Sequence, residues 1–92
     1  MRDENKIKEE VFLSILEQFK NEIMELDNEL EKLEKEKIRH SILKELYPGK
    51  DLRHEQSIIE DIEKKQAKIE KELDDKQNKL SKLEQIKKNY IT

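Results

Sequence analysis

The side chains able to do chemistry are few in kind. His40 and His54 flank the segment Tyr47-Pro48-Gly49-Lys50, with Glu36 and Glu55 nearby in the chain. Two imidazoles and a carboxylate are the closest approach to a metal site, but zinc needs three or four ligands held in place. The histidines therefore read as half-exposed polar residues, and no metal is expected. Lys76, Lys79, Lys82, Lys87 and Lys88 make a basic end beside Tyr90. Such a cluster can meet phosphate or an acidic lipid head group. It can equally neutralise an acidic neighbouring helix. The whole chain carries 20 basic and 23 acidic residues, net charge -3, whereas a nucleic-acid binder is expected to show a net basic face. Nucleic acid is not the expected partner. There is no glycine-rich phosphate loop, no His-Glu-x-x-His and no cysteine nucleophile. Carboxylates on solvated helix faces lack the concave pocket that catalysis needs. The expectation is a non-enzyme with no cofactor.

The elements that carry these residues follow from periodicity. Charged residues make up 47% of the chain and apolar ones 33%, with one Gly and one Pro. An ordinary globular domain is about 25% charged, so this composition fits either disorder or long helices. The apolar series decides. Phe12, Leu16, Phe19, Ile23, Leu26, Leu30 and Leu33 alternate in steps of four and three. The second half repeats the rhythm through Leu52, Ile59, Ile62, Gln66, Ile69, Leu73, Lys76, Leu80, Leu83, Lys87 and Tyr90. A 3.5-residue repeat is the seam of a left-handed coiled coil. Disorder would not keep that phase.

The fold expected is all-α: a two-helix antiparallel coiled-coil hairpin forming a single domain over residues 1–92. Helix 1 is expected over about 3–46, the turn at 47–50 and helix 2 over about 51–90. Pro48 disfavours helical geometry at Tyr47, and Pro-Gly suits the centre of a type II turn with Gly49 at positive φ. Asp51 can cap the second helix, placing Leu52 first in it. Ser57-Ile58-Ile59-Glu60 offers a competing start as a capping box. Seven acidic residues precede a lysine by four, Glu31–Lys35 and Asp75–Lys79 among them. That is the more favourable orientation on a helix.

A tight fold-back makes facing residue numbers sum to about 98 or 99, counting outward from the turn on both helices. Leu46 then meets Leu52, Leu30 meets Ile69, Leu26 meets Leu73, Phe19 meets Leu80 and Leu16 meets Leu83. Charge agrees at the open end. Residues 1–22 carry four basic and six acidic side chains, and residues 76–92 carry five lysines and one glutamate. The middle is different: residues 23–31 hold four acids and no base, and residues 67–75 hold four acids and two lysines. This acidic waist would suit a basic partner.

Apolar residues off the seam point to an interaction. Val11, Leu13, Ile15 and Met24 lie near the open end with Ile86 and Ile91; Ile38, Ile42, Leu43, Leu46 and Ile58 lie near the loop. There the strict repeat would put Lys37, His40 and Lys44 in the seam, so the apolar stripe is expected to shift phase. One hairpin buries one stripe, and a lone pair of helices lacks the burial of a stable small domain. Pairing into a four-helix bundle, or docking on another helical protein, would supply it. Val11, Leu13, Ile15, Ile38, Ile42 and Ile58 are the candidate partner-binding residues. The expected function is a protein-interaction module: an adaptor, spacer, small helical chaperone or regulator that forms a homodimer, binds another helical protein, or does both.

The layout also resembles the WxG family of secreted bacterial helical hairpins, through its length and the glycine of the turn. Gly49 matches that glycine, while Tyr47 stands where the family has tryptophan. Tyr90 is followed only by Ile91 and Thr92, short of the family's tyrosine and downstream acid, so no functional residue carries over. The resemblance implies a secreted effector or secretion partner as the alternative. The longest apolar run, Val11-Phe12-Leu13, is far below the roughly 20 residues of a membrane span. No signal peptide is read at the start. With no cysteine, a reducing cytoplasm is the expected location.

Overall fold

In a computed structural model, residues 3–49 and 52–91 are described. Helix α1 spans Glu4–Leu46 and helix α2 spans Arg53–Tyr90, and the two pack antiparallel as a helical hairpin. Among the described residues there is no strand. The molecule measures 74 × 18 × 13 Å with a radius of gyration of 20.9 Å. A compact domain of this length would have a radius near 12 Å. The price of that elongation is a thin core.

Local chemistry sets the ends. Asp3 is extended at the N-cap of α1, and its Oδ1 accepts a hydrogen bond from the Asn5 amide at 3.1 Å. This satisfies one of the unpaired donors of the first turn. Tyr47 precedes the proline and leaves helical geometry at φ -120, ψ 60, while its amide still donates to the Leu43 carbonyl at 3.2 Å. Gly49 takes φ 100, as a Pro-Gly turn requires. That conformation is sufficient reason for glycine there.

Asp51, the expected cap of the second helix, lies outside the described residues. Leu52 occupies the capping position of α2 without a side-chain hydrogen bond, and its carbonyl accepts from the Gln56 amide at 2.9 Å. Ser57 lies within the body of α2.

The register is legible from bonds between the helices. Lys76 donates to Glu22 Oε2 at 2.7 Å, Gln66 Nε2 to Glu34 Oε2 at 2.8 Å, and Lys44 to Gln56 Oε1 at 2.6 Å. Their numbers sum to 98 or 100, in line with the expected fold-back.

Seam residues stay covered from Phe12 to Lys44 on α1 and from Leu52 to Leu83 on α2, whereas Lys87 and Tyr90, expected in the seam at the open end, are exposed. On α1 the columns Leu16, Ile23, Leu30, Lys37, Lys44 and Phe12, Phe19, Leu26, Leu33, His40 are all half-buried. Among the described residues Ile59, Ile62 and Leu73 of α2 are the buried side chains, and α1 has none. Two helices can enclose one stripe from two sides only.

The expected phase shift near the loop does not occur. Lys37, His40 and Lys44 remain half-buried on the seam, whereas Ile38 and Ile42 are turned outward. Leu46 is 64% exposed, so the anticipated packing of Leu46 on Leu52 does not cover it. The reason is that the polar seam residues have partners. Lys37 lies 3.8 Å from Glu63, His40 Nδ1 pairs with Glu55, and Lys44 bonds Gln56. Long polar side chains bury their stems and keep their heads paired, so the helix need not unwind to bring Ile38 and Ile42 inward.

Candidate interaction faces

Each helix is flanked, beside its seam, by columns of residues spaced seven apart. Because the seam residues stay covered at that spacing from Phe12 to Lys44, the neighbouring columns keep their place beside it. Leu13 and Ile15 differ by two residues, or about 200° around a helix. They therefore belong to opposite flanks.

The Leu13 column continues through Lys20, Asp27, Glu34 and Ser41. Opposite it on α2 run Gln56, Glu63, Glu70, Gln77 and Glu84. The cross-helix bonds place these columns together: Glu34 reaches Gln66, Lys37 reaches Glu63 and Lys44 reaches Gln56. At the open end, Leu13 lines a shallow groove with Phe12, Leu16, Leu83, Glu84 and Lys87. This flank is acidic over most of its length.

The Ile15 column continues through Glu22, Glu29, Glu36 and Leu43. Opposite it on α2 run Ile58, Lys65, Glu72, Lys79 and Ile86. Glu29 and Glu36 line one shallow groove with Lys65 of α2, and Glu22 and Glu29 line another with Lys76. The flank thus reads, from loop to open end, Leu43 with Ile58, Glu36 with Lys65, Glu29 with Glu72, Glu22 with Lys79, and Ile15 with Ile86. It is apolar at both ends and charged between. Val11 and Leu46 lie one helical turn from Ile15 and Leu43, on the same side, and both are exposed. Side chains of this kind left open to water are the usual mark of an interaction surface when they cluster.

The six candidate partner-binding residues are therefore not one surface. Val11, Ile15 and Ile58 belong to the Ile15 flank, and Ile42 lies on the outer face of α1, opposite the seam. Leu13 and Ile38 are on the other side of α1. Val11, Leu13, Ile38 and Ile42 are exposed, while Ile15 and Ile58 are half-buried beside the seam. Ile86, Leu43 and Leu46 complete the Ile15 flank; each stands a multiple of seven residues from Ile58, Ile15 and Val11 respectively, and that spacing was the signal for them.

The open end is fastened by aromatic contacts. Phe12 and Tyr90 meet edge to face with ring centroids 6.0 Å apart, and Lys8 lies 5.2 Å from the Tyr90 centroid. Lys76 lies 5.8 Å from the Phe19 centroid. Its hydrogen bond to Glu22 holds the Glu22 carboxyl below its ordinary range, with a second hydrogen bond from Gln18 adding to the effect. The same bond raises the Lys76 ammonium above its usual value. Lys76 and Lys79 of the basic end thus face acids of α1 or of their own helix: Lys76 meets Glu22, and Lys79 lies 3.0 Å from Asp75.

His40 is engaged with Glu55, and His54 is exposed one residue before it. No group of three or more metal-ligating side chains converges among the described residues. No described helix is long and apolar enough to cross a membrane. Comparison with protein families, with curated proteins and with solved structures finds no match to this chain.

Proposed function

We propose that this chain is a non-enzymatic protein-interaction module that works by helix–helix packing, as an adaptor, spacer, small helical chaperone or regulator. The observation that carries this reading is the Ile15 flank: a hairpin with three buried side chains among the described residues leaves Val11, Leu46 and Ile86 open to water along one side. Burying such residues against another helix releases about 25 cal/mol per Å² of apolar surface. It would convert a thin two-helix structure into a layered one.

Sedimentation and thermal melting over a range of micromolar concentrations test the self-associating form. Assembly and a melting midpoint that rises with concentration are expected, since association stabilises the folded chain by mass action. For a hetero-partner, matched purifications from the native cell use wild-type chain and the variant Leu46→Glu/Ile86→Glu as bait. A specific helical partner should be retained by the first and lost by the second. A monomer with a fixed midpoint, together with no partner that distinguishes the two baits, overturns the proposal.

A further inference from the structure

The order of residues along the Ile15 flank is complementary to itself. Consider a second hairpin laid on this flank with its loop at the same end, related by a two-fold axis along the length. Helix α1 of each copy then lies over α2 of the other. Leu43 meets Ile58 of the second copy at the loop end, and Ile15 meets Ile86 of the second copy at the open end. Between them, Glu36 meets Lys65 and Glu22 meets Lys79, each contact occurring twice by symmetry. The middle layer alone is unfavourable, with Glu29 over Glu72.

The reversed arrangement, with the loops at opposite ends, also matches apolar ends to apolar ends. It sets α1 against α1, so that Glu22 meets Glu36 and Glu29 meets Glu29. It sets α2 against α2, so that Lys65 meets Lys79. Every charged layer is then like against like, and such juxtapositions exclude wrong pairings. The available face, 74 by 18 Å in outline, exceeds the roughly 800 Å² per partner of a standard interface.

We infer that the Ile15 flank docks a second copy of this chain, side by side with both loops at one end, as a four-helix bundle. The inference rests on the proposed interaction role and adds to it a partner, a face and an orientation.

Charge reversal tests the face. Glu36→Lys sets lysine over Lys65 of the second copy, and Lys65→Glu sets glutamate over Glu36. Each variant alone should dimerise at least tenfold more weakly than the wild type. Mixed together they should form a heterodimer, because both contacts between copies at the 36/65 layer are again Glu with Lys. The pairing inside each hairpin stays like-charged in the mixture, so recovery reports the contact between chains. Orientation is read by pulsed dipolar EPR on Lys6→Cys carrying a nitroxide. Lys6 is exposed and lies in the Leu13 column, away from the contact, and the chain has no other thiol. Loops at one end place the two labels within about 35 Å, whereas reversal about residue 29 separates them by about 70 Å at 1.5 Å per residue. The long distance overturns the orientation. Absence of dipolar coupling with a monomer in sedimentation, or no heterodimer on mixing, overturns the second copy as occupant. The interaction role then stands or falls separately on the paired-bait purification.

Discussion

Lys76 Nζ sits 2.7 Å from Glu22 Oε2, joining the basic end of α2 to α1 at the edge of the acidic waist. Both side chains are part-exposed, yet each carries a hydrogen bond that favours its charged form. The pair ties charge order to register. Sliding α2 by one turn would carry Lys76 away from Glu22.

The sign of its pH dependence follows. Glu22 titrates lower in the folded chain than its ordinary value of 4.5. Its contribution is complete above that value and is lost as pH falls through the lowered one. Lys76 is raised above 10.5, so its contribution is complete below that value and is lost as pH rises through the raised one. Melting midpoints measured from pH 2 to 7 should fall on the acid side, and Glu22→Gln should fall less. An equal acid-side loss in both proteins would show that the pair does not couple to folding.

The seam near the loop holds His40 against Glu55 where an apolar pair would pack. Replacing a partly buried polar pair with apolar residues of similar volume is neutral or stabilising, by about 1–4 kcal/mol where burial is complete. The double variant His40→Leu/Glu55→Leu should therefore unfold in urea at the same or higher concentration than the wild type. His40→Leu alone leaves Glu55 without this partner and should unfold earlier than the double variant. The reverse order would mean that the polar pair is a net source of stability.

Gly49 at φ 100 has open space where a Cβ would stand. The cost of a side chain there is purely conformational, about 1–2 kcal/mol for alanine. Asparagine tolerates the left-handed region better, so Gly49→Asn should lose less than Gly49→Ala in the same denaturation. Equal losses would place the cost elsewhere than in φ.

Much of the hairpin could be read from the chain because one stripe and one turn determine it. The three-and-four spacing from Phe12 to Leu33 fixes the seam, and Pro48-Gly49 fixes the reversal. The path near the loop was less legible. Apolar residues at 38, 42 and 46 compete with Lys37, His40 and Lys44 for the seam, and spacing alone favours the apolar set. What decides is the supply of partners on the other helix, Glu63, Glu55 and Gln56, which only the fold brings into place. The same limit applies to Leu13 and Ile15. Two residues apart in sequence and both off the seam, they look like one patch until the second helix divides them.

That division provides the most direct measurement. Leu13 and Ile86 are matched in exposure, at 54% and 50%, but lie on opposite flanks. Leu13→Glu and Ile86→Glu therefore add the same charge to equally open positions, and neither should unfold the helices by more than about 0.5 kcal/mol if its face is solvated. At a contact between chains, the carboxylate would be desolvated without a partner, at a cost of several kcal/mol. Sedimentation velocity on the two variants at equal micromolar concentration, with helical content checked by circular dichroism, compares the flanks. Ile86→Glu should sediment as a monomer while Leu13→Glu assembles as the wild type does. Loss of assembly in Leu13→Glu with Ile86→Glu unaffected would contradict the assignment of the Ile15 flank as the interaction face.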